Sequence, residues 1–90
     1  MSQVRELKIV NEKGLHARAS ARFVEVVEAH DAQAEVRKDG MRVSGDSIMG
    51  LLMLAASKGS TIEVETSGPE AERLADALEA LVADRFGEDD

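Results

Sequence analysis

Cysteine is absent from this chain of 90 residues, which excludes disulfides, thiolate metal sites and cysteine nucleophiles at once. Tyr and Trp are missing as well, and two Phe are the only aromatic side chains. Almost nothing is left on which the bases of a single strand could stack. Basic residues are scarce: 11 Lys and Arg stand against 18 Asp and Glu, for a formal net charge of -7. That sign is wrong for a protein that neutralises nucleic-acid phosphates, so no nucleic-acid partner is expected. No apolar run approaches the roughly 18 residues of a membrane span, and the start, Met1-Ser2-Gln3-Val4-Arg5-Glu6, lacks the regions of a signal peptide. With no disulfides either, a cytoplasmic location is expected. No repeat, low-complexity tract or Pro- or Ser-rich linker divides the chain. Residues 1–90 therefore read as one domain, too small for a second domain or a deep substrate cavity.

What is present is patterned. Val4 to Val10 alternates, with Leu7 and Ile9 on one face and Glu6 and Lys8 on the other, the period of a half-buried strand. Asn11-Glu12-Lys13-Gly14 supplies a turn. From Ala17 to Ala29 the apolar residues Ala17, Ala21, Val24 and Val27, with Phe23 alongside, recur at helical spacing. Ala32 to Lys38 alternates again, Asp39-Gly40 signals a hairpin, and Met41-Arg42-Val43 is its return strand. Ser44-Gly45-Asp46-Ser47 then offers a loop and a helix cap before the apolar Ile48 to Leu54. A fourth strand spans Ser60 to Ser67, and Gly68-Pro69 opens a last helix with the stripe Leu74, Leu78, Leu81 and Val82. That helix is expected to end near Phe86-Gly87, with Glu88-Asp89-Asp90 as a frayed acidic tail. The order is βαββαβα. Since every strand alternates, one face of the sheet is expected to be wet. The fold class is α+β: an open-faced two-layer sandwich, a four-stranded antiparallel sheet with three helices on one face.

The chemistry concentrates at Gly14-Leu15-His16-Ala17-Arg18. A helix starting directly after His16 aims the unpaired N–H groups of its first turn, and the positive end of its dipole, at the imidazole. A phosphoryl group on a ring nitrogen carries close to two negative charges, which such donors and a cation stabilise. Arg18 supplies the cation, and Gly14 permits the backbone path that presents the ring. Attack by the ring requires its neutral form. Taken alone, a histidine before a helix is ordinarily a surface residue or a cap, so the surrounding motif decides.

The segment Val10-Asn11-Glu12-Lys13-Gly14-Leu15-His16-Ala17-Arg18-Ala19-Ser20 resembles the active-site segment of HPr, the histidine phosphocarrier family of the bacterial phosphoenolpyruvate-dependent phosphotransferase system. Ser44-Gly45-Asp46-Ser47-Ile48-Met49-Gly50-Leu51 resembles the second signature of the same family. Element order and length agree from end to end. The resemblance implies that His16 is phosphorylated on Nδ1 by Enzyme I, that Arg18 assists, and that the group passes to an Enzyme II A-type acceptor. The chain is then a carrier and not an enzyme. No cofactor or metal is implied, and a monomer is expected. One departure stands out: the family usually has Pro where this chain has Ala19. Proline fits a first helical turn without losing a hydrogen bond, so Ala19 keeps the helix and removes some rigidity. Ala here is a feature of HPr-like proteins in regulatory, nitrogen-related branches, which favours signalling over bulk sugar uptake.

Ser47 is placed to cap the second helix by accepting from the N–H of Met49 or Gly50. The resemblance adds a second role, since the matching serine is the regulatory site of HPr kinase/phosphatase in lineages that have that enzyme. Along this helix Ile48, Leu51, Leu52 and Ala55 are expected to face the sheet, with Met49 and Met53 on another side at i, i+4 spacing. So short a helix, apolar nearly all round, leaves apolar surface exposed, and Met adapts to several partners. Ile48, Met49, Leu51 and Met53 are therefore expected to form a docking face with Ala19, Ser20 and the arginines of the first helix.

Other readings fit less well. His30 lies at a helix end beside Asp31 and reads as a solvent-exposed residue. Two histidines fourteen positions apart, with no tight ligand cluster, make a poor metal site. A hydrolase using His16 as base would need a nucleophile, and only Ser20 lies one turn along. The alternative that differs in destination is a regulatory interaction protein, whose His16 and Ser47 phosphorylation states control binding to kinases, transporters or transcription regulators.

Overall fold

The computed structural model describes residues 2–88. Four strands alternate with three helices: β1 (Ser2–Lys8), α1 (Ala17–Glu28), β2 (Gln33–Lys38), β3 (Met41–Ser44), α2 (Ile48–Met53), β4 (Thr61–Ser67) and α3 (Ala71–Ala83), followed by a 3-10 turn at Arg85–Gly87. The strands form one antiparallel sheet in the order β1-β4-β2-β3. Register follows from the period-two pattern, because slipping a strand by one residue would turn its apolar set into water. Leu7 pairs with Ile62, and Val36 lies between Val64 and Val43. These side chains share the face covered by helices. The opposite face carries Glu6, Glu35, Arg37, Glu63 and Glu65, where Arg37 binds Glu63 through Nε at 2.7 Å and Glu65 through Nη1 at 2.9 Å. Bonds from Glu63 first, then Glu65 and Glu35, raise the Arg37 pKa above its ordinary value.

The core lies between sheet and helices. Phe23, Val24 and Val27 of α1 and Leu74, Leu78 and Val82 of α3 meet Leu7, Val36, Ile62 and Val64 of the strands. The inner face of α1 is turned from its expected position: Ala17 is exposed, and Ala19, Ser20, Phe23, Val24 and Val27 are buried. Pro69 lies outside α3. Glu70 takes the cap position, its N–H donating to Asp31 O at 3.0 Å and its Oε1 accepting from the Asp31 N–H at 2.7 Å. His30 is half-buried rather than solvent-exposed, its Nδ1 donating to Val26 O at 2.8 Å. The same carbonyl also accepts from the Ala29 N–H at 3.2 Å, so the ring adds a second bond at the end of the helix.

Two expectations about α2 need correction. Ile48 is 40% exposed, and Ala55 lies beyond the helix at φ +51° with its side chain outward. The inward stripe is carried by Leu51 and Leu54, while Leu52 is half-buried. A short helix sets the angle of its buried stripe by what it packs against, and here α1 and β3 are the neighbours. Gly50 permits that approach, since a Cβ there would lie 3.0 Å from Val43 Cβ. A third correction concerns the C-terminus. α3 stops at Ala83, the chain turns through positive φ at Arg85, Phe86 and Gly87, and Phe86 is fully buried. Glu88 is thereby anchored and not frayed; Asp89 and Asp90 lie outside the described residues.

Candidate functional site

Gly14 shapes the approach to the site. Its φ is +66°, and a Cβ would fall 2.5 Å from Ala56 O, so only glycine lets the turn pass beneath that carbonyl. The next N–H, that of Leu15, donates to the same Ala56 oxygen at 2.8 Å, and Leu15 is buried. With the turn pinned there, His16 becomes the N-cap of α1 in extended conformation (φ -82°, ψ -175°). Its carbonyl accepts the first intrahelical bond, from Ser20 N–H at 2.8 Å. Its ring makes no capping bond to the helix. The imidazole therefore stands at the positive end of α1 without consuming the N–H groups of the first turn.

Arg18, the expected cation, is exposed. A shallow hollow beside the ring is lined by Lys13, His16, Arg18, Arg22, Gly87 and Glu88. In a chain of net charge -7, three cations around one imidazole are a local reversal of sign, and such a concave cationic surface attracts anions. A wider open groove near the end of β3, between Gln33, Glu35, Arg42, Ser44 and Asp46, contains no histidine and mixes both signs of charge. Of the two, only the smaller hollow brings a histidine together with several cations.

Two residues of the site escaped the sequence pattern. Glu88 Oε2 bonds the Nε2 of His16 across 72 positions of sequence. Its other oxygen, Oε1, accepts from Asn11 Nδ2 at 2.9 Å. Asn11 is fully buried, and the same Nδ2 donates to Gly14 O at 2.8 Å, tying the turn to the carboxylate. No local signal marks Glu88, since what holds it is the insertion of Phe86 into the core. Asn11 was legible as a turn residue and as part of the segment that resembles the family's active site, but its tie to Glu88 was not.

The remaining predicted positions separate into two sets. Ser47 caps α2, its hydroxyl accepting from Gly50 N–H at 3.0 Å. Ile48, Met49 and Met53 are exposed, with 70% of Met49 and 64% of Met53 accessible. Leu51, Ala19 and Ser20 are fully buried and offer no surface for docking. All three lie on the stripes that join α1 and α2 to the core, where apolar contact outweighs exposure. Ser20 Oγ approaches Leu15 O at 3.4 Å inside the fold, which leaves the hydrolase reading without its nucleophile.

Known proteins match this arrangement throughout. The family model described as "PTS HPr component phosphorylation site" matches residues 3–84. The phosphocarrier protein HPr of Cupriavidus necator is 46% identical over 84 residues, covering 93% of this chain and 94% of that protein. The phosphocarrier protein NPr of Escherichia coli K12 is 37% identical over 90 residues, covering 99% of this chain and 100% of the relative. A crystal structure of an HPr from Thermoanaerobacter tengcongensis superposes with a TM-score of 0.91 at 34% identity, covering 97% of this chain and 98% of that one. With its open-faced sheet, its helix-heading histidine and these relatives, the chain belongs to the HPr family and is a phosphocarrier of the phosphotransferase system.

Proposed function

We propose that His16 is the phosphoryl acceptor, taking the group on Nδ1 from Enzyme I, with phosphoenolpyruvate as its origin, and passing it to an Enzyme II A-type acceptor. The single observation that carries this reading is the imidazole at the head of α1, ringed by Lys13, Arg18 and Arg22 and making no capping bond to its own helix. Free N–H groups at a helix start and a guanidinium are the donors a phosphoryl group needs. Arg18 meets the phosphoryl oxygens, and the hollow stays shallow because both partners must reach the same nitrogen. The chain turns over nothing by itself; it is a cytoplasmic monomer that partner enzymes load and unload.

Ile48, Met49 and Met53 form the apolar part of the docking face, and Arg18 and Arg22 the charged part. Ser47 is the regulatory position. A phosphate there sits at a helix N-terminus, which accommodates negative charge, so it leaves the fold intact and repels acidic partner surfaces. Ala19, where the family usually has Pro, favours a second destination: a regulatory acceptor in place of a sugar-specific one.

The test incubates the protein with phosphoenolpyruvate and Enzyme I. The expected product is an acid-labile, alkali-stable adduct that is lost in His16→Ala. Wild-type protein that takes up no phosphate would end the carrier reading for this histidine. Adding a sugar-specific or a regulatory acceptor then identifies the destination.

A further inference from the structure

We infer that Glu88 is a positioning residue for His16: its carboxylate holds the Nε2–H form of the ring and offsets the positive charge that the ring acquires when Nδ1 is phosphorylated. This rests on the carrier reading and deepens it. Imidazole offers two nitrogens, and which one is nucleophilic depends on the hydrogen bond made by the other. A carboxylate only accepts, so Glu88 Oε2 against Nε2 keeps a proton on Nε2 and the lone pair on Nδ1. The carboxylate is itself oriented. Asn11 Nδ2 holds Oε1 at 2.9 Å, Asn11 is fully buried, and Phe86, buried two residues before Glu88, pins the segment. Only 13% of the Glu88 side chain is accessible, so solvent weakens its bond to the ring less than at an open surface.

The transfer step balances as follows. The Nδ1 lone pair forms the bond to phosphorus, and the bond from phosphorus to the donor's atom breaks, its electron pair leaving with the donor. The Nε2 proton stays on the ring. The ring therefore gains one positive charge, adjacent to the carboxylate of Glu88. In the return transfer the charge disappears as the phosphoryl group leaves. The carboxylate thus favours loading and retention, while Lys13, Arg18 and Arg22 line the same hollow beside the ring.

Glu88→Ala and Glu88→Gln test this, each checked for an unchanged fold by thermal melting and circular dichroism. Partners that orient metal-ligating histidines are typically worth about 10- to 100-fold, and Glu88 is given the same orienting task here. The kcat for phosphoryl transfer from Enzyme I should fall about tenfold in Glu88→Ala, with KM for Enzyme I unchanged, and less in Glu88→Gln, which keeps an acceptor oxygen but no charge. Ring 15N resonances of the neutral histidine should show the Nε2–H form fully populated in wild type and mixed in Glu88→Ala. A lost contact in docking would raise KM instead and leave the ring resonances unchanged. Wild-type rates and resonances in both variants overturn the inference, and so does faster loading, which would make Glu88 a mask over the ring. Absence of phosphate uptake by the wild type is a separate result, and it strikes the carrier reading itself.

Discussion

At the scale of single residues, Gly14 and Gly40 share a positive φ, +66° and +81°, but meet different surroundings. A Cβ at Gly14 would be 2.5 Å from Ala56 O, whereas one at Gly40 would meet nothing within 4 Å. Gly40→Ala should therefore cost only the left-handed backbone term, about 1–2 kcal/mol. Gly14→Ala adds a backbone collision that cannot relax without moving the Leu15 bond to Ala56, and should cost clearly more, about 3 kcal/mol once strain is added. Chemical denaturation of the two variants measures the difference. Gly14→Ala should also slow phosphoryl transfer, because the displaced turn carries His16; Gly40→Ala should not. Equal losses of stability at the two positions would refute the steric account of the turn.

At the scale of elements, α2 separates buried from exposed apolar side chains along six residues. Leu51 points into the core with no accessible surface, while Met49 and Met53 point outward. Gly50 lets this helix lie close on β3, and Ser47 closes its first turn. Met49→Glu should therefore weaken transfer from Enzyme I about tenfold through KM, with a melting temperature within a few degrees of wild type, because an exposed substitution changes stability by less than about 0.5 kcal/mol. Unchanged transfer kinetics would remove α2 from the docking face. Leu51→Ala is the contrasting change: it should cost about 2–5 kcal/mol by opening a cavity. Within α1, Ala19 occupies the third helical position, where the N–H has no intrahelical partner in any case. The proline usual in the family and the alanine here are thus both compatible with the helix, and the difference between them is rigidity.

At the scale of the whole molecule, charge is distributed by function. The sheet face away from the helices gathers Glu6, Glu35, Glu63 and Glu65, with Glu35 directly opposite Glu65 and Glu6 opposite Glu63. Like charges in such positions repel across strands. Arg37, bonded to Glu63 and Glu65, is what makes the arrangement tolerable. Arg37→Ala should lower the denaturation midpoint at low ionic strength, and about 1 M NaCl, where the screening length is roughly 3 Å, should recover most of the loss. A deficit insensitive to salt would show that Arg37 acts through the packing of its stem. Three cations, Lys13, Arg18 and Arg22, line the hollow around His16. A chain of net negative charge thus carries a hollow with three cations beside His16, a local sign that attracts anions.

Much of this was legible in the sequence by itself. Period-two and helical spacing located the four strands and three α-helices, and Asp39-Gly40 marked the hairpin, because local backbone preferences and side-chain periodicity act over a few residues. Ser47 was recognisable as a cap for the same reason. His16 stood out through the resemblance of its segment to the active-site segment of the HPr family. Which residues of the two signatures would be accessible was not legible: Ala19, Ser20 and Leu51 are buried because α1 and α2 pack on each other and on the sheet, and that orientation is set by the whole core. Nor was Glu88. Three acidic residues at the end of a chain look like a solvated tail, and only the seating of Phe86 in the core brings the first of them onto His16 and Asn11. The histidine was determined by sequence; the carboxylate that meets it was decided by the tertiary fold, since the contact spans 72 positions that only the closed core brings together.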